Sequence, residues 1–241
     1  MLRTLALIAT QVFIMPFFAI AAMGSSLVSP GGPRALRIIG AWGRLSLAVS
    51  GVEVRVHGRE EAEAAGPAVI VANHTSAQDI YLALGYVPIP YRMVAKESLF
   101  RIPFLGLGMR ATGMVPLERS GTRRDVRRLA ELDLRDPAAQ RLFAFPEGTR
   151  SPDGRLQRFK RGAFATAVAQ GVPVIPLAIV GACRVQPPHS WGVRGGRVEL
   201  RFLAPVFPAG PAHEDRDALM DEVWRRMTEA LPAEQRPGAT D

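Results

Sequence analysis

One cysteine, Cys183, is all that this 241-residue sequence offers, so no disulfide can form within the chain. Its stability must rest on a buried core, which suits a reducing compartment. Histidine is nearly as scarce. His57, His74, His189 and His213 are scattered, without the short spacing that zinc ligands need. No G-x-S-x-G elbow is present, and no internal repeat. Aromatic residues make up only 7% of the chain. The arginine-dense stretch from Arg119 to Arg161 lacks the interleaved aromatics of single-strand nucleic-acid binders, and no groove-reading motif appears. Acidic residues are outnumbered, 22 against 30 basic ones, leaving a formal charge of +8. That imbalance points to nucleic acid, an anionic membrane surface or an acidic small molecule, and charge alone does not choose among them.

Apolar sequence is abundant. Hydrophobic residues reach 48%, enough for one sizeable domain plus an appendage. Leu5 to Met23 is almost wholly apolar, interrupted by Gln11 and Pro16. As a helix it would span about 30 Å, the thickness of bilayer hydrocarbon. Pro16 is expected to kink it or to split it into two pieces. After a loop rich in turn formers, Ala35 to Ser50 reads as an amphipathic helix suited to a membrane interface. Leu36, Ile39, Trp42, Leu45 and Leu47 give it bulk, and Arg37 and Arg44 give it charge. Residues 1–50 are therefore read as a membrane-anchoring segment, either a retained membrane helix or a monotopic pair. A cleaved signal peptide and a buried core helix are the alternatives. Arg34, Arg37 and Arg44 place the chain that follows on the cytoplasmic side.

From Val52 onward, strand and helix patterns alternate. Strands are expected at Val52–Val56, Ala68–Ala72, Tyr91–Ala95, Gly113–Leu117, Arg141–Phe145, Val172–Val180 and Val198–Phe202. Helices are expected at Ser76–Gly85, Ile102–Met109, Arg123–Leu134, Lys160–Gln170 and Ala218–Leu231. This alternation predicts an α/β fold over residues 51–231, a mixed sheet flanked by helices. The polar tail, 232–241, is expected to be disordered.

Two short motifs carry chemistry. NHTSAQD, Asn73 to Asp79, follows one predicted strand, and FPEGTRS, Phe145 to Ser151, follows another. Ligands gather at the carboxyl ends of strands in such sheets. On one helix, positions five apart lie about 140° apart, so His74 and Asp79 would face different ways. The pair works only if His74 sits in the loop before the helix, with Thr75 or Ser76 as N-cap. Asp79 then reaches back to one ring nitrogen and leaves the other free as a base. In the second motif Gly148 permits a tight turn, and Arg150 carries a planar fork suited to phosphate. Glu147 is placed to fix that arginine or the loop, or to contact a substrate. Pro173 and Pro176 read as pocket wall, and Cys183 as an inert thiol.

NHTSAQD and FPEGTRS resemble the first and third signature blocks of the glycerolipid acyltransferases. GMVPLER, Gly113 to Arg119, resembles the second block, and VPVIPLAIVG, Val172 to Gly181, the fourth. The resemblance spans roughly Val52 to Phe207. It implies that His74 is the general base and that Asp79 orients it. It assigns the acceptor to Gly113, Arg119, Glu147, Gly148, Thr149 and Arg150, with Lys96 and Lys160 as further anion contacts. The acceptor it implies is 1-acylglycerol 3-phosphate and the product phosphatidate. Acyl-CoA or acyl carrier protein would be the co-substrate. No cofactor or metal is expected, because a thioester is already activated. The implied location is a bacterial inner membrane, catalytic domain on the cytoplasmic side. Thr75, Gln78 and Glu118 depart from common family residues, which leaves the lysolipid open. A lyso-ornithine lipid or a lysophospholipid would suit the same chemistry, and a non-catalytic lipid-binding protein would keep the same shape.

Overall fold

A computed structural model describes residues 1–28, 32–118, 123–134, 141–210 and 213–238. The chain opens with α1 (Leu2–Ala9), a π-turn (Thr10–Ile14) and α2 (Met15–Val28), followed by α3 (Pro33–Val49). Then come β1 (Val52–His57), α4 (Arg59–Ala64), β2 (Ala68–Ala72), α5 (Gln78–Tyr86) and β3 (Arg92–Lys96). A 3-10 turn (Glu97–Arg101) leads to α6 (Leu105–Ala111), β4 (Val115–Leu117), α7 (Arg123–Ala130), β5 (Arg141–Ala144) and α8 (Gly162–Gln170). The chain ends with β6 (Val174–Val180), α9 (Ala182–Val185), β7 (Gly196–Phe202), α10 (His213–Ala230) and a 3-10 turn (Ala233–Gln235).

The strands form one seven-stranded sheet in the order β1-β7-β6-β2-β5-β3-β4. All neighbours are parallel except β6 and β7, so the sheet is mixed, as expected. The central strands β2, β5 and β6 are buried along their whole length, the signature of strands covered on both faces. Alternate residues serve opposite layers. Ile70, Phe143, Ile175 and Leu177 pack towards α3 and α5. Val69, Val71, Leu142 and Val174 pack with residues of α8 and α10.

The register positions the two motifs. β2 and β5 pair with Val71 beside Ala144. Counting three residues past each strand position brings His74 level with Glu147. β6 flanks β2 on its other side, with Ala72 beside Leu177. The loops after β2 and β5 therefore leave the sheet side by side.

Two expectations about the chain ends are corrected. Pro16 neither splits nor ends the first helix, which runs from Leu2 to Val28. The proline has no N–H to bond the preceding turn, and the π-turn just before it absorbs the lost register. One face of this helix packs on α3 and α6, with Ala19 and Ala22 buried. The other face is bare, and Leu5, Val12, Phe13, Phe17 and Ile20 are exposed. Its start is tied to the body, since Val193 N–H donates to Thr4 Oγ1 (3.0 Å) and Arg3 donates to the Arg194 carbonyl. The buried-core alternative does not hold, because only 22% of its most apolar window is buried. The tail expected to be disordered is folded from 232 to 238, with Gln235 buried. Its backbone and side chain find partners in the body, which composition does not reveal.

Candidate active site

β2 ends at Ala72, and the next residues are held on three sides. Asn73 replaces strand pairing with its own amide. Its Nδ2 donates to the Ile179 carbonyl (2.9 Å), and its Oδ1 accepts from Ile179 N–H (2.7 Å). His74 is then clamped by the second motif. Its N–H donates to Glu147 Oε1 (2.8 Å), and its carbonyl accepts from Ser151 N–H (2.7 Å). The imidazole stacks on the Phe145 ring, with centroids 4.1 Å apart and planes 19° from parallel.

The His74–Asp79 pair forms as the spacing required, with Nδ1 and Oδ2 2.9 Å apart. His74 lies in the loop and Asp79 in the first turn of α5. The cap differs from expectation. Ala77 is the N-cap, and neither Thr75 nor Ser76 caps α5 in the ordinary way. Asp79 reaches backward instead. Its Oδ2 accepts from Thr75 N–H (2.7 Å) and Ser76 N–H (2.8 Å) as well as from the ring. Ser76 Oγ accepts from Gln78 N–H (3.2 Å) and donates to the Gln186 carbonyl (2.9 Å). A carboxylate oxygen collecting N–H groups sets the tautomer: the proton sits on Nδ1, and Nε2 presents its lone pair. Nε2 has no hydrogen-bond partner among the described residues.

His74 opens onto a cavity of about 520 Å³. Its walls are mostly apolar and include Met15 and Ala19 of α2, Ile39 and Trp42 of α3, Tyr81 and Leu84 of α5, Met93 and Ala95 of β3, and Leu105 and Met109 of α6. Arg150 and Lys96 line the same cavity and are exposed, so positive charge stands where it meets solvent. Arg150 makes no hydrogen bond or ion pair among the described residues. The volume and lining match the size and character of small-molecule sites.

Glu147 is buried, and its Oε2 has no hydrogen-bond partner among the described residues. Burial, with a smaller contribution from the Asp79 charge, pushes its carboxyl up to about 8, while the bond from His74 N–H acts the other way. At neutral pH it is therefore a neutral acid that fixes the His74 backbone. It does not pair with Arg150, one of the roles the sequence left open. Gly148 adopts φ +75°, and a Cβ there would stand 2.7 Å from Lys160 Cε. Lys160 thus lies against the loop and lines a second cavity of about 140 Å³, whose lining does not include His74. Thr149 is exposed in the loop. Gly113 forms the left-handed turn that leaves α6 and is not among the cavity residues. Arg119 lies outside the described residues.

Sequence reasoning missed the contributions of the first two helices. Gln11 lines the cavity and its Nε2 donates to Ser46 Oγ (3.2 Å). A polar residue inside an otherwise apolar run was the available signal. Gln186 was missed too; its Oε1 accepts from Gln78 Nε2 (2.8 Å), behind the histidine loop.

Known proteins share this architecture. The family model described as Acyltransferase matches residues 53–180. The chain is 37% identical over 171 residues to the chloroplastic 1-acyl-sn-glycerol-3-phosphate acyltransferase BAT2 of Brassica napus, covering 68% of this chain and 46% of that one. It is 35% identical over 155 residues to the 1-acyl-sn-glycerol-3-phosphate acyltransferase of Escherichia coli, covering 64% and 63% respectively. The chain thus spans about half the length of the plant relative. The crystal structure of the 1-acyl-sn-glycerophosphate (LPA) acyltransferase PlsC from Thermotoga maritima superposes with a TM-score of 0.76 at 29% identity, covering 95% of each chain. The match embraces both motifs and the strands that set their register, and on that ground this chain belongs to the acyltransferase family.

Proposed function

We propose that this chain is a membrane-bound 1-acylglycerol-3-phosphate acyltransferase. It would move an acyl chain from a thioester of coenzyme A or acyl carrier protein to the free hydroxyl of lysophosphatidate. One observation supports this most: a histidine with Nδ1 held by a buried carboxylate and Nε2 unpartnered among the described residues, lining a large apolar cavity with arginine and lysine at its exposed edge.

In this reading, His74 Nε2 takes the proton of the acceptor hydroxyl as its oxygen attacks the thioester carbonyl carbon. Asp79 stabilises the imidazolium that forms. The C–S bond then breaks, and the departing thiolate recovers the proton from His74. An ester and a free thiol result. A positioned base of this kind contributes roughly 10²- to 10⁴-fold in rate. Arg150 and Lys96 hold the phosphate, and the resemblance assigns Arg119 to the same group. Glu147, Gly148 and Thr149 shape the loop against His74. The apolar walls take an acyl chain, each buried CH₂ being worth about 0.8 kcal/mol.

The bare apolar face of the first helix supports membrane docking. It is too extensive for an ordinary soluble surface. Because the opposite face packs along the body, the helix would lie in the plane of one leaflet rather than cross the bilayer. A bacterial inner membrane, approached from the cytoplasm, is the proposed location.

The test is an assay of detergent-solubilised protein with lysophosphatidate and radiolabelled acyl-CoA or acyl carrier protein. Phosphatidate with either donor supports the reading. Product only from another lysolipid would move the acceptor. Failure of folded protein across a lysolipid panel would favour a non-catalytic lipid binder.

A further inference from the structure

The segment after α10 folds back against the catalytic loops, and one side chain carries most of that contact. Gln235 is 1% exposed, although it stands near the end of the described chain. Its amide is used in both directions. Oε1 accepts from Gly181 N–H (2.8 Å), and Nε2 donates to the Ile179 carbonyl (3.2 Å). That carbonyl is the one that also accepts from Asn73 Nδ2, and Asn73 immediately precedes His74. The Gln235 backbone carbonyl accepts from Leu156 N–H (2.9 Å), in the stretch that continues from Ser151. Ser151 in turn donates to the His74 carbonyl. One residue therefore joins the end of β6, the loop before the base and the loop after Arg150.

The rest of the segment is fixed independently. Arg236 Nε donates to the Leu231 carbonyl (2.9 Å) at the end of α10, and Arg155 Nη1 donates to the Arg236 carbonyl (3.1 Å). Buried amides persist only where their donors and acceptors are met, and a satisfied network fixes geometry more tightly than apolar contact does. Packing alone would be served by an apolar side chain; the two-way use of this amide fixes the Gly181 N–H and the Ile179 carbonyl, the same carbonyl that Asn73 binds.

We infer that Gln235 is a positioning residue of the active site, holding Asn73, and through it His74, at working distance from the acceptor hydroxyl. The inference rests on the acyltransferase reading above. Gln235 is not among the residues that line the His74 cavity, so its removal is expected to act on turnover and not on binding.

The experiment compares wild type, Gln235→Met, Gln235→Glu and the exposed neighbour Glu234→Ala in the phosphatidate assay. Amide hydrogen exchange is followed in parallel. Gln235→Met keeps size and removes the amide. Its kcat is expected to fall about 10- to 100-fold, the cost of displacing a catalytic group by about 1 Å. KM for donor and acceptor should stay within about twofold. Exchange should quicken in Asn73–Asp79 and stay unchanged in β1 and β7. Glu234→Ala should match wild type. A folded Gln235→Met with kcat within about twofold of wild type overturns the inference, as does a loss carried wholly by KM. If Gln235→Met does not fold, Gln235→Glu decides by the same criteria, since it keeps the acceptor for Gly181 N–H. If wild type makes no phosphatidate with either donor, the acyltransferase reading fails. Exchange then decides the positioning claim, and unchanged protection of Asn73–Asp79 overturns it.

Discussion

Replacing Asp79 with asparagine separates the part of the site that holds shape from the part that sets a proton. Asp79 Oδ2 accepts three bonds, from His74 Nδ1 (2.9 Å), Thr75 N–H (2.7 Å) and Ser76 N–H (2.8 Å). Its Oδ1 has no hydrogen-bond partner among the described residues. An asparagine oxygen in the Oδ2 position still accepts from all three, but without charge. Bonds to a charged group contribute about 1.5–3 kcal/mol and neutral ones about 0.5–1.5, so the three together weaken by about 3–4 kcal/mol. Relief from burying a carboxylate offsets part of that, while the amide NH2 takes the Oδ1 position without an acceptor among the described residues, leaving a loss of about 2–4 kcal/mol. Against a typical 5–15 kcal/mol, Asp79→Asn stays folded. Catalysis suffers more. Without the charge, the imidazolium formed in the transition state loses its stabilising partner, and the neutral oxygen holds the Nδ1 proton less firmly. The expected fall in kcat is about 10²- to 10⁴-fold. Asp79→Ala differs in kind, because it strands three donors at about 1–3 kcal/mol each and threatens the fold itself. The assay is phosphatidate formation beside a urea unfolding curve for each variant. A folded Asp79→Asn protein with kcat within about threefold of wild type would refute the assignment of Asp79 as the orienting group.

Three further predictions follow from the geometry. Burial pushes the Glu147 carboxyl from 4.5 to about 8, so the folded chain keeps a proton that the unfolded chain releases across this range. Its stabilising contribution is complete below pH 4.5 and is lost as pH rises through 8. Glu147→Gln does not titrate; its urea midpoint relative to wild type should be flat below pH 4.5 and climb between 4.5 and 8. Arg150→Ala should raise KM for lysophosphatidate about 10-fold, with a neutral monoacylglycerol acceptor little affected, measured by initial rates at low salt. Phe13 and Phe17 are 69% and 73% exposed on the bare face of the first helix. Placing aspartate at both should abolish co-flotation with anionic phospholipid vesicles while leaving activity on detergent-dispersed substrate intact.

The sequence made the core of the site legible because its spacing leaves little freedom. A histidine and an aspartate five apart meet only across a loop-to-helix junction, and that is where they meet. Both motifs follow apolar strands, and parallel register then brings His74 beside Glu147. What stayed hidden depends on the third dimension. The Asp79 side chain satisfies amides that precede its own helix, so the hydroxyl residues that resemble a cap are not the cap. Gln235 lies in a stretch whose composition reads as solvent-exposed, and its burial is explained by partners met only in space, the Ile179 carbonyl and the Gly181 N–H. Gly113 is assigned to the acceptor by its motif, and the motif alone does not reveal the left-handed turn it forms, with φ +67°. The π-turn before Pro16 preserves a helix that proline was expected to kink or to split, and that helix supplies one wall of the cavity.

The central claim is that His74 is the base that activates the acceptor. The most direct measurement is the rate of phosphatidate formation by His74→Ala beside wild type, at saturating lysophosphatidate and donor, with folding checked by circular dichroism. A kcat about 10²- to 10⁴-fold below wild type in a folded variant is the predicted result. Phosphatidate made by the variant at the wild-type rate would contradict it.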